Sequence, residues 1–223
     1  MNLNLTNEVK KMSRQIRKCW IGAALLMAFV GCSSGPAGIP KPSVDSQGAS
    51  QQAFELYDAD GDGFLAGEEL IKAPGINAGL KKADADSDGK VSPEELATRM
   101  ESWNASRYSI LPISCGVRLD GALLEGATVV FEPEPFLKDV LREGQGVVNA
   151  SGSAAVSIPM ENRLVADSPP GLQFGYYIVR ISKQENGKEL VPAKYNTESI
   201  LGQEIASDDP AVLSQIVFNM ISK

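Results

Sequence analysis

Three spacings of hydrophobic residues follow one another along the chain, and each predicts a different kind of element. The first is an unbroken apolar run over residues 20–30. The second has helical spacing, as in the trio Leu96, Met100 and Trp103, which share one face of a predicted helix. The third begins after Trp103 and alternates apolar with other residues, as half-buried strands do. We therefore expect an apolar N-terminal segment, a small helical region and a β-rich region, in that order.

The β-rich region is predicted to hold several short strands separated by turn residues. Asp120-Gly121 and Asn186-Gly187 are the clearest turn signals. Frequent turns between short strands favour an antiparallel β-sandwich, so the fold class is α+β multidomain. The predicted strands cover residues 113–119, 127–133, 146–150, 154–159, 175–182, 190–195 and 214–221.

The N-terminal segment has the pattern of an export signal. Five basic residues between positions 10 and 18 precede the apolar run. That run is shorter than the roughly 20 residues needed to cross a bilayer core of about 30 Å, but it fits the apolar part of a signal peptide. Translation from Met1 or from Met12 would keep both parts.

Cys32 follows the run in the sequence Phe29-Val30-Gly31-Cys32. This resembles the lipobox of bacterial lipoproteins, although Phe29 stands where that pattern prefers leucine. The resemblance implies a signal peptide over residues 1–31 and a lipidated Cys32 that holds the protein on a membrane. The alternatives are an ordinary secretory signal and an uncleaved anchor. Residues 32–50, rich in Ser, Gly and Pro, are predicted to be a flexible tether.

Two acidic twelve-residue loops carry the clearest chemistry in the chain. They run over residues 58–69 and 84–95, and both satisfy the EF-hand calcium loop pattern. Three aspartates, a turn glycine, a backbone carbonyl at the seventh position and a closing glutamate with two oxygens recur in each loop. The predicted calcium ligands are Asp58, Asp60, Asp62, Phe64 and Glu69 in the first loop, and Asp84, Asp86, Asp88, Lys90 and Glu95 in the second. The alternative is a pair of acidic solvent loops without metal, in which the converging carboxylates would repel one another.

The two loops are unusually close together in the chain. They start at residues 58 and 84, only 26 positions apart, which is too short for two full helices and a linker. We expect a compact EF-hand pair over residues 51–104 with trimmed central helices, joined by a short strand contact between Leu65 and Val91. Such a pair is a poor candidate for a sensor that opens an apolar groove. For an extracytoplasmic site the expected dissociation constant is roughly 10⁻⁴–10⁻³ M.

Residues 115–131 and 175–182 carry a second resemblance. The first stretch reads CGVRLDGALLEGATVVF and the second GYYIVRIS. Together they resemble carboxypeptidase-regulatory-like (transthyretin-like) domains, with residues 192–196 similar to a late segment of small lipoproteins of that fold. Residues 149–154 depart from the family pattern. The resemblance spans residues 112–223 and implies a non-catalytic β-sandwich used for spacing, stability or adhesion.

Composition narrows the function further. The net charge of -7 disfavours a nucleic-acid partner, and the chain has no histidine, which removes the commonest catalytic base. Cys115 is predicted to be a small buried residue on a strand. Four carboxylates of the β-rich region are predicted to lie in turns or on solvent faces and not to be catalytic: Asp120, Glu132, Glu134 and Asp139.

These observations favour a calcium-binding, lipid-anchored protein of the bacterial cell envelope with a structural or protein-binding role and no enzymatic activity. Its expected partners are the membrane, through the anchor, and a protein or cell-surface component. One alternative is a dockerin-like loop pair that assembles with another protein in a calcium-dependent way. The other is a calcium-dependent hydrolase, for which the sequence offers no catalytic constellation.

Overall fold

The computed structural model describes residues 43–107, 109–165 and 167–223, which belong to one compact unit. The predicted signal peptide and Cys32 lie outside these residues. No helix among the described residues has the length and apolar character needed to cross a membrane.

Four helices form the N-terminal part of this unit: α1 (Ser46–Tyr57), α2 (Gly67–Lys72), α3 (Pro74–Ala83) and α4 (Pro93–Ala105). Helix α1 begins within the stretch predicted to be tether, because the Asp45 side chain caps it by accepting a hydrogen bond from the Gly48 amide. Only Ala73 separates α2 from α3, and Pro74 opens α3 at a position where its missing N–H costs nothing. The trimmed central helices predicted from the loop spacing are therefore present.

The β-rich part consists of short strands: β1 (Ile110–Leu111), β2 (Ile113–Leu119), β3 (Ala122–Leu123), β4 (Thr128–Pro133), β5 (Gly144–Val147), β6 (Ser153–Val156), β7 (Leu172–Gln173), β8 (Gly175–Ser182), β9 (Gln184–Glu185), β10 (Lys188–Glu189), β11 (Gly202–Ile205) and β12 (Ile216–Met220). Most of them belong to two main sheets. One has the strand order β11-β8-β4-β5, and the other has the order β12-β2-β3, with β6 also paired to β2. Pairing is antiparallel throughout, apart from the parallel pair β2 and β12. The predicted fold class, a small helical EF-hand region followed by antiparallel sheets, is confirmed.

The apolar faces of the two sheets meet in a shared core. The ring of Phe131 on β4 lies 6.1 Å from that of Phe218 on β12 and 6.2 Å from that of Tyr177 on β8, edge to face in both pairs. Cys115 on β2 is fully buried as a free thiol, as predicted. The same core continues into the helical region through Ile76 and Trp103.

The two turns predicted from adjacent residues are confirmed, but one of the predicted strands is wrong. Asp120-Gly121 and Asn186-Gly187 are tight turns, and all four residues have positive φ. The predicted strand over residues 190–195 is wrong, because a short strand ends at Glu189 and a 3₁₀ turn covers Ala193–Tyr195. Pro192 just ahead of that turn has no N–H to donate to a neighbouring strand.

Helix α3 lies directly on strands β8 and β11, and two glycines allow the close approach. A Cβ atom on Gly79 would come within 2.6 Å of Cε1 of Tyr176, and one on Gly75 would come within 2.9 Å of the Tyr177 backbone nitrogen. The helix that joins the two acidic loops is therefore also the helix that rests on the sheet.

Candidate metal centre

The first acidic loop is held in shape by hydrogen bonds from its own backbone to its aspartates. Asp58 accepts from the amides of Gly61 at 2.8 Å and Gly63 at 3.1 Å. Both glycines have positive φ, 73° and 83°, so the chain can turn tightly around this carboxylate. One carboxylate oxygen from each of Asp58, Asp60 and Glu69 lies within 4.8 Å of the others. The first loop thus gathers three carboxylates around one point.

The second loop repeats this arrangement with small differences. Asp84 accepts from the amides of Asp88 at 3.1 Å and Gly89 at 2.9 Å, and Gly89 has a φ of 86°. Here the oxygens that lie within 4.8 Å of one another come from Asp84, Asp86 and Asp88.

The closing glutamates sit in the first turns of α2 and α4 and bond back to their own loops. Glu69 accepts from the amides of Ala66 and Ala59, and these hydrogen bonds lower the pKa of its carboxyl. Burial opposes ionisation of Glu95, but hydrogen bonds from Ser92 and Ala85 outweigh it and lower its pKa as well. In both carboxylates these hydrogen bonds favour the charged form, which is the form that binds a cation.

Two predicted ligands stand apart from these groups of three. Asp62 and Glu95 belong to the loops but lie outside the sets whose oxygens come within 4.8 Å. Asp62 faces the other loop, where Nζ of Lys90 lies 3.6 Å from its carboxylate and 4.9 Å from the ring centre of Phe64. The two residues predicted to offer backbone carbonyls, Phe64 and Lys90, therefore contact each other through their side chains.

The two loops are joined by the short strand contact that the sequence predicted. The Leu65 amide donates to the Val91 carbonyl at 2.8 Å, and the Val91 amide donates back at 3.0 Å. Both side chains are fully buried. The loops therefore form a pair that shares a hydrophobic base.

The donor chemistry fits a hard divalent cation. Carboxylate oxygens are the preferred ligands of such ions, and three carboxylates gathered within one site repel one another without a positive charge between them. The twelve-residue spacing, the turn glycines and the closing glutamates agree with this. The loops indicate a divalent-metal site of the EF-hand type.

Sequence reasoning missed a buried carboxylate beneath the first loop. Glu134 was predicted to lie in a turn or on a solvent face, and that prediction is wrong because the residue has no exposed surface. It accepts hydrogen bonds from the Tyr57 hydroxyl and the Gly75 amide, both at 2.6 Å. Burial raises the pKa of its carboxyl. Of the other three carboxylates, Asp120 and Asp139 are exposed, while the partly buried Glu132 pairs with Arg180 and Lys138.

A second buried carboxylate, Glu204 on β11, lies against α4. It accepts from Nε of Arg99 at 2.6 Å and from the indole N–H of Trp103 at 2.9 Å. Burial raises its pKa, although the guanidinium of Arg99 opposes the shift. Arg99 also forks onto the two oxygens of Asp208, at 2.9 and 2.8 Å. No local pattern in the sequence indicates this cluster, because Arg99 lies 105 positions from Glu204 and 109 from Asp208.

Comparisons with known proteins support the EF-hand pair and give little information on the rest of the chain. The sequence model of the EF hand family matches residues 51–72 and 76–100. A transaldolase from Thermosynechococcus vestitus is 42% identical over 48 residues, which make up 22% of this chain and 12% of the transaldolase. The chain thus spans only a small part of the length of that relative. No solved structure matches the chain. The EF-hand pair predicted from the loops is confirmed.

Proposed function

We propose that this chain is a calcium-binding, lipid-anchored cell-envelope protein in which the EF-hand pair is a structural element. The observation that carries the proposal is that three of the four helices around the loops, α1, α3 and α4, are held on the sheet by buried hydrogen bonds to Glu134 and Glu204. A sensor EF-hand works by changing the angle between its helices and exposing an apolar groove. A change in helix angle would have to break these buried hydrogen bonds, which favours a site that stabilises over one that switches.

Calcium is the ion that the loop design favours. A closing glutamate that offers two oxygens suits the six to eight ligands of calcium, whereas magnesium demands a stricter octahedron and keeps several waters. The expected affinity is that of extracellular modules, roughly 10⁻⁴–10⁻³ M, which suits a protein that faces millimolar calcium outside the cytoplasm.

The anchor and the β-sandwich give the proposal its location and role. The lipobox-like sequence ahead of Cys32 supports attachment to a membrane through acyl chains on that cysteine. The transthyretin-like motifs in residues 115–131 and 175–182 support a non-catalytic sandwich that spaces, stabilises or binds a protein or cell-surface partner.

Calorimetry on the full-length chain in detergent tests the calcium site. We expect heat of binding with calcium chloride, weaker heat with magnesium chloride, and a rise in melting temperature with calcium. The double variant Glu69→Ala, Glu95→Ala should lose all three effects. The matched control is Glu68→Ala, Glu94→Ala, which removes the neighbouring glutamates outside the ligand positions and should keep them. No heat and no thermal shift at 10 mM calcium, on the order of ten times the weakest expected dissociation constant, would overturn the proposal.

Mass spectrometry of the chain extracted from membranes tests the anchor. A mature N-terminus at Cys32 carrying acyl groups is the expected result, and an unmodified Cys32 would contradict it. Cys32→Ser, which cannot be acylated through sulfur, should release the protein from the membrane fraction.

A further inference from the structure

Glu134 reaches both sides of the first loop. Tyr57, which donates to one of its oxygens, is the last residue of α1 and directly precedes Asp58. Gly75, which donates to the other, lies in the first turn of α3, next after the short helix α2 that carries Glu69. A single carboxylate from the β-sandwich therefore bonds the segment that leads into loop one and the segment that follows it.

The bond to Gly75 also completes the start of α3. The residue ahead of this helix is Ala73, whose side chain cannot accept a hydrogen bond, so the helix lacks a local cap. Glu134 supplies the acceptor from the sheet, at the end of the helix where the first N–H groups have no partner within the helix. The position of α3 is thus tied to the sandwich as well as to α2.

Glu204 has the matching place around the second loop. Arg99 and Trp103, its two donors, lie on α4, which begins beside Glu95 and follows the loop. On the other side it lies against α3, which leads into the loop and ends at Asp84: a Cβ atom on Gly79 would come within 2.9 Å of its Oε2. Each loop therefore has its own buried carboxylate. Glu204 lies between the two helices that flank loop two, whereas Glu134 bonds α1 ahead of loop one and the start of α3, which only Ala73 separates from α2.

This arrangement bears on the metal because the ligands sit at the ends of those helices. The first aspartate of each loop ends one helix, and the closing glutamate lies in the first turn of another. The relative placement of the two helices consequently sets the distance between the first and last ligands. Removing a group that hydrogen-bonds directly to a metal ligand commonly weakens metal binding by about 10- to 100-fold, and Glu134 and Glu204 act one step further out, through the helices.

We propose that Glu134 and Glu204 are positioning residues for the two metal sites, Glu134 for loop one and Glu204 for loop two. The inference rests on the proposed binding of calcium. It makes the β-sandwich part of the metal sites' design, since both carboxylates come from the sheet region and neither is a ligand.

The test uses the full-length chain in two backgrounds that each leave one loop competent. Asp84→Ala leaves loop one, and Asp58→Ala leaves loop two. Calcium dissociation constants are measured by calorimetry after adding Glu134→Ala or Glu204→Ala to each background. We expect Glu134→Ala to raise the dissociation constant of loop one by about tenfold and that of loop two by less than about twofold, with the reverse for Glu204→Ala.

Two further variants separate positioning from general destabilisation. Glu132→Ala is the matched control, because Glu132 lies two residues from Glu134 but pairs only within the sandwich, and it should leave both constants unchanged. Glu134→Gln should rescue loop one, since its amide oxygen can accept from Gly75 while its amide nitrogen donates to Tyr57. If Glu134→Ala does not fold, Tyr57→Phe removes one of the two bonds and should still weaken loop one alone.

The outcomes are distinct. Calcium binding in both backgrounds, with equal or no change on removing the carboxylates, would overturn the positioning role and leave the proposed function standing. No calcium binding by the unmodified chain would remove the proposed function and this inference together. A loss confined to the matching loop and restored by glutamine supports the inference.

Discussion

The indole of Trp103 stands edge-on against the ring of Tyr176, with the ring centres 4.8 Å apart and the planes at 72°. Trp103 belongs to α4 and Tyr176 to β8, so this contact joins the helical region to the sheet. Both side chains are almost completely buried, and the indole N–H is satisfied by Glu204. The two parts of the chain therefore share one core and should unfold together.

Trp103→Ala should test how strongly this contact holds the unit together. Removing this buried tryptophan leaves a cavity and removes one of the two hydrogen bonds to Glu204, and comparable substitutions cost about 3–5 kcal/mol. We expect the free energy of unfolding, measured by urea denaturation with far-UV circular dichroism, to fall by that amount. Val147→Ala on the exposed surface of β5 is the control and should stay within about 0.5 kcal/mol of the parent. A loss below about 1 kcal/mol for Trp103→Ala would contradict a shared core.

Gly79→Ala should destabilise the protein although alanine favours helices. Alanine gains about 1 kcal/mol over glycine inside a helix, but its methyl group would lie within 2.6 Å of the Tyr176 ring and 2.9 Å of the Glu204 carboxylate. Forcing α3 off the sheet should cost about 1–3 kcal/mol in net unfolding free energy. Asn77→Ala lies on the exposed side of the same helix, where alanine raises the helix propensity without contacting the sheet. This substitution should be neutral or slightly stabilising. Equal effects of the two substitutions would show that α3 does not lie this close to the sheet.

The features that could be predicted from the sequence are those in which the determining residues lie close together in the chain. All the ligands of each loop fall within twelve residues, and the Leu65–Val91 contact follows from the position of each residue in its loop. The turns at Asp120-Gly121 and Asn186-Gly187 are likewise set by adjacent residues. Local patterns were sufficient for these because the physical cause is local.

The parts that were missed depend on contacts between distant residues. Glu134 bonds Tyr57 across 77 positions, and Glu204 bonds Arg99 across 105. On sequence alone a glutamate is usually exposed, and nothing near Glu134 marks it as a helix cap for α3. The parallel pairing of β2 with β12 was missed for the same reason. It joins strands about a hundred residues apart, and no local pattern in either strand indicates its partner.

Calcium should protect the β-sandwich as well as the loops. If the unit unfolds as one, calcium that binds only the folded state lowers the population of the open state throughout, by about a hundredfold for each occupied site at a free concentration of one hundred times the dissociation constant. Cys115 offers the readout, because this thiol in the sheet core is fully buried and reacts only on opening. Alkylation at Cys115, followed by peptide mass spectrometry, should slow in calcium relative to chelator. The Glu69→Ala, Glu95→Ala variant is the control and should be labelled at the same rate in calcium and in chelator. If the labelling rate of the parent does not change with calcium, the sandwich opens independently of the loops.

The ion pair between Arg99 and Asp208 should stabilise the folded protein, and this contribution should be lost at acidic pH. The forked hydrogen bonds from the Arg99 guanidinium lower the pKa of Asp208 from 3.8 to about 2. A carboxyl whose pKa is lower in the folded state stabilises the protein above its ordinary pKa and loses that contribution as the pH falls through the folded value. The difference in unfolding free energy between the parent and Asp208→Asn should therefore be full at pH 5 and shrink between about pH 4 and pH 2. Because half of the Asp208 side chain is exposed, the difference itself should be small.

Urea midpoints measured in chelator, so that metal loss does not contribute, provide the comparison. Ser207→Ala changes an uncharged neighbour, so its difference in unfolding free energy from the parent should not change with pH. If the difference for Asp208→Asn is also constant with pH, the ion pair does not lower the pKa of Asp208.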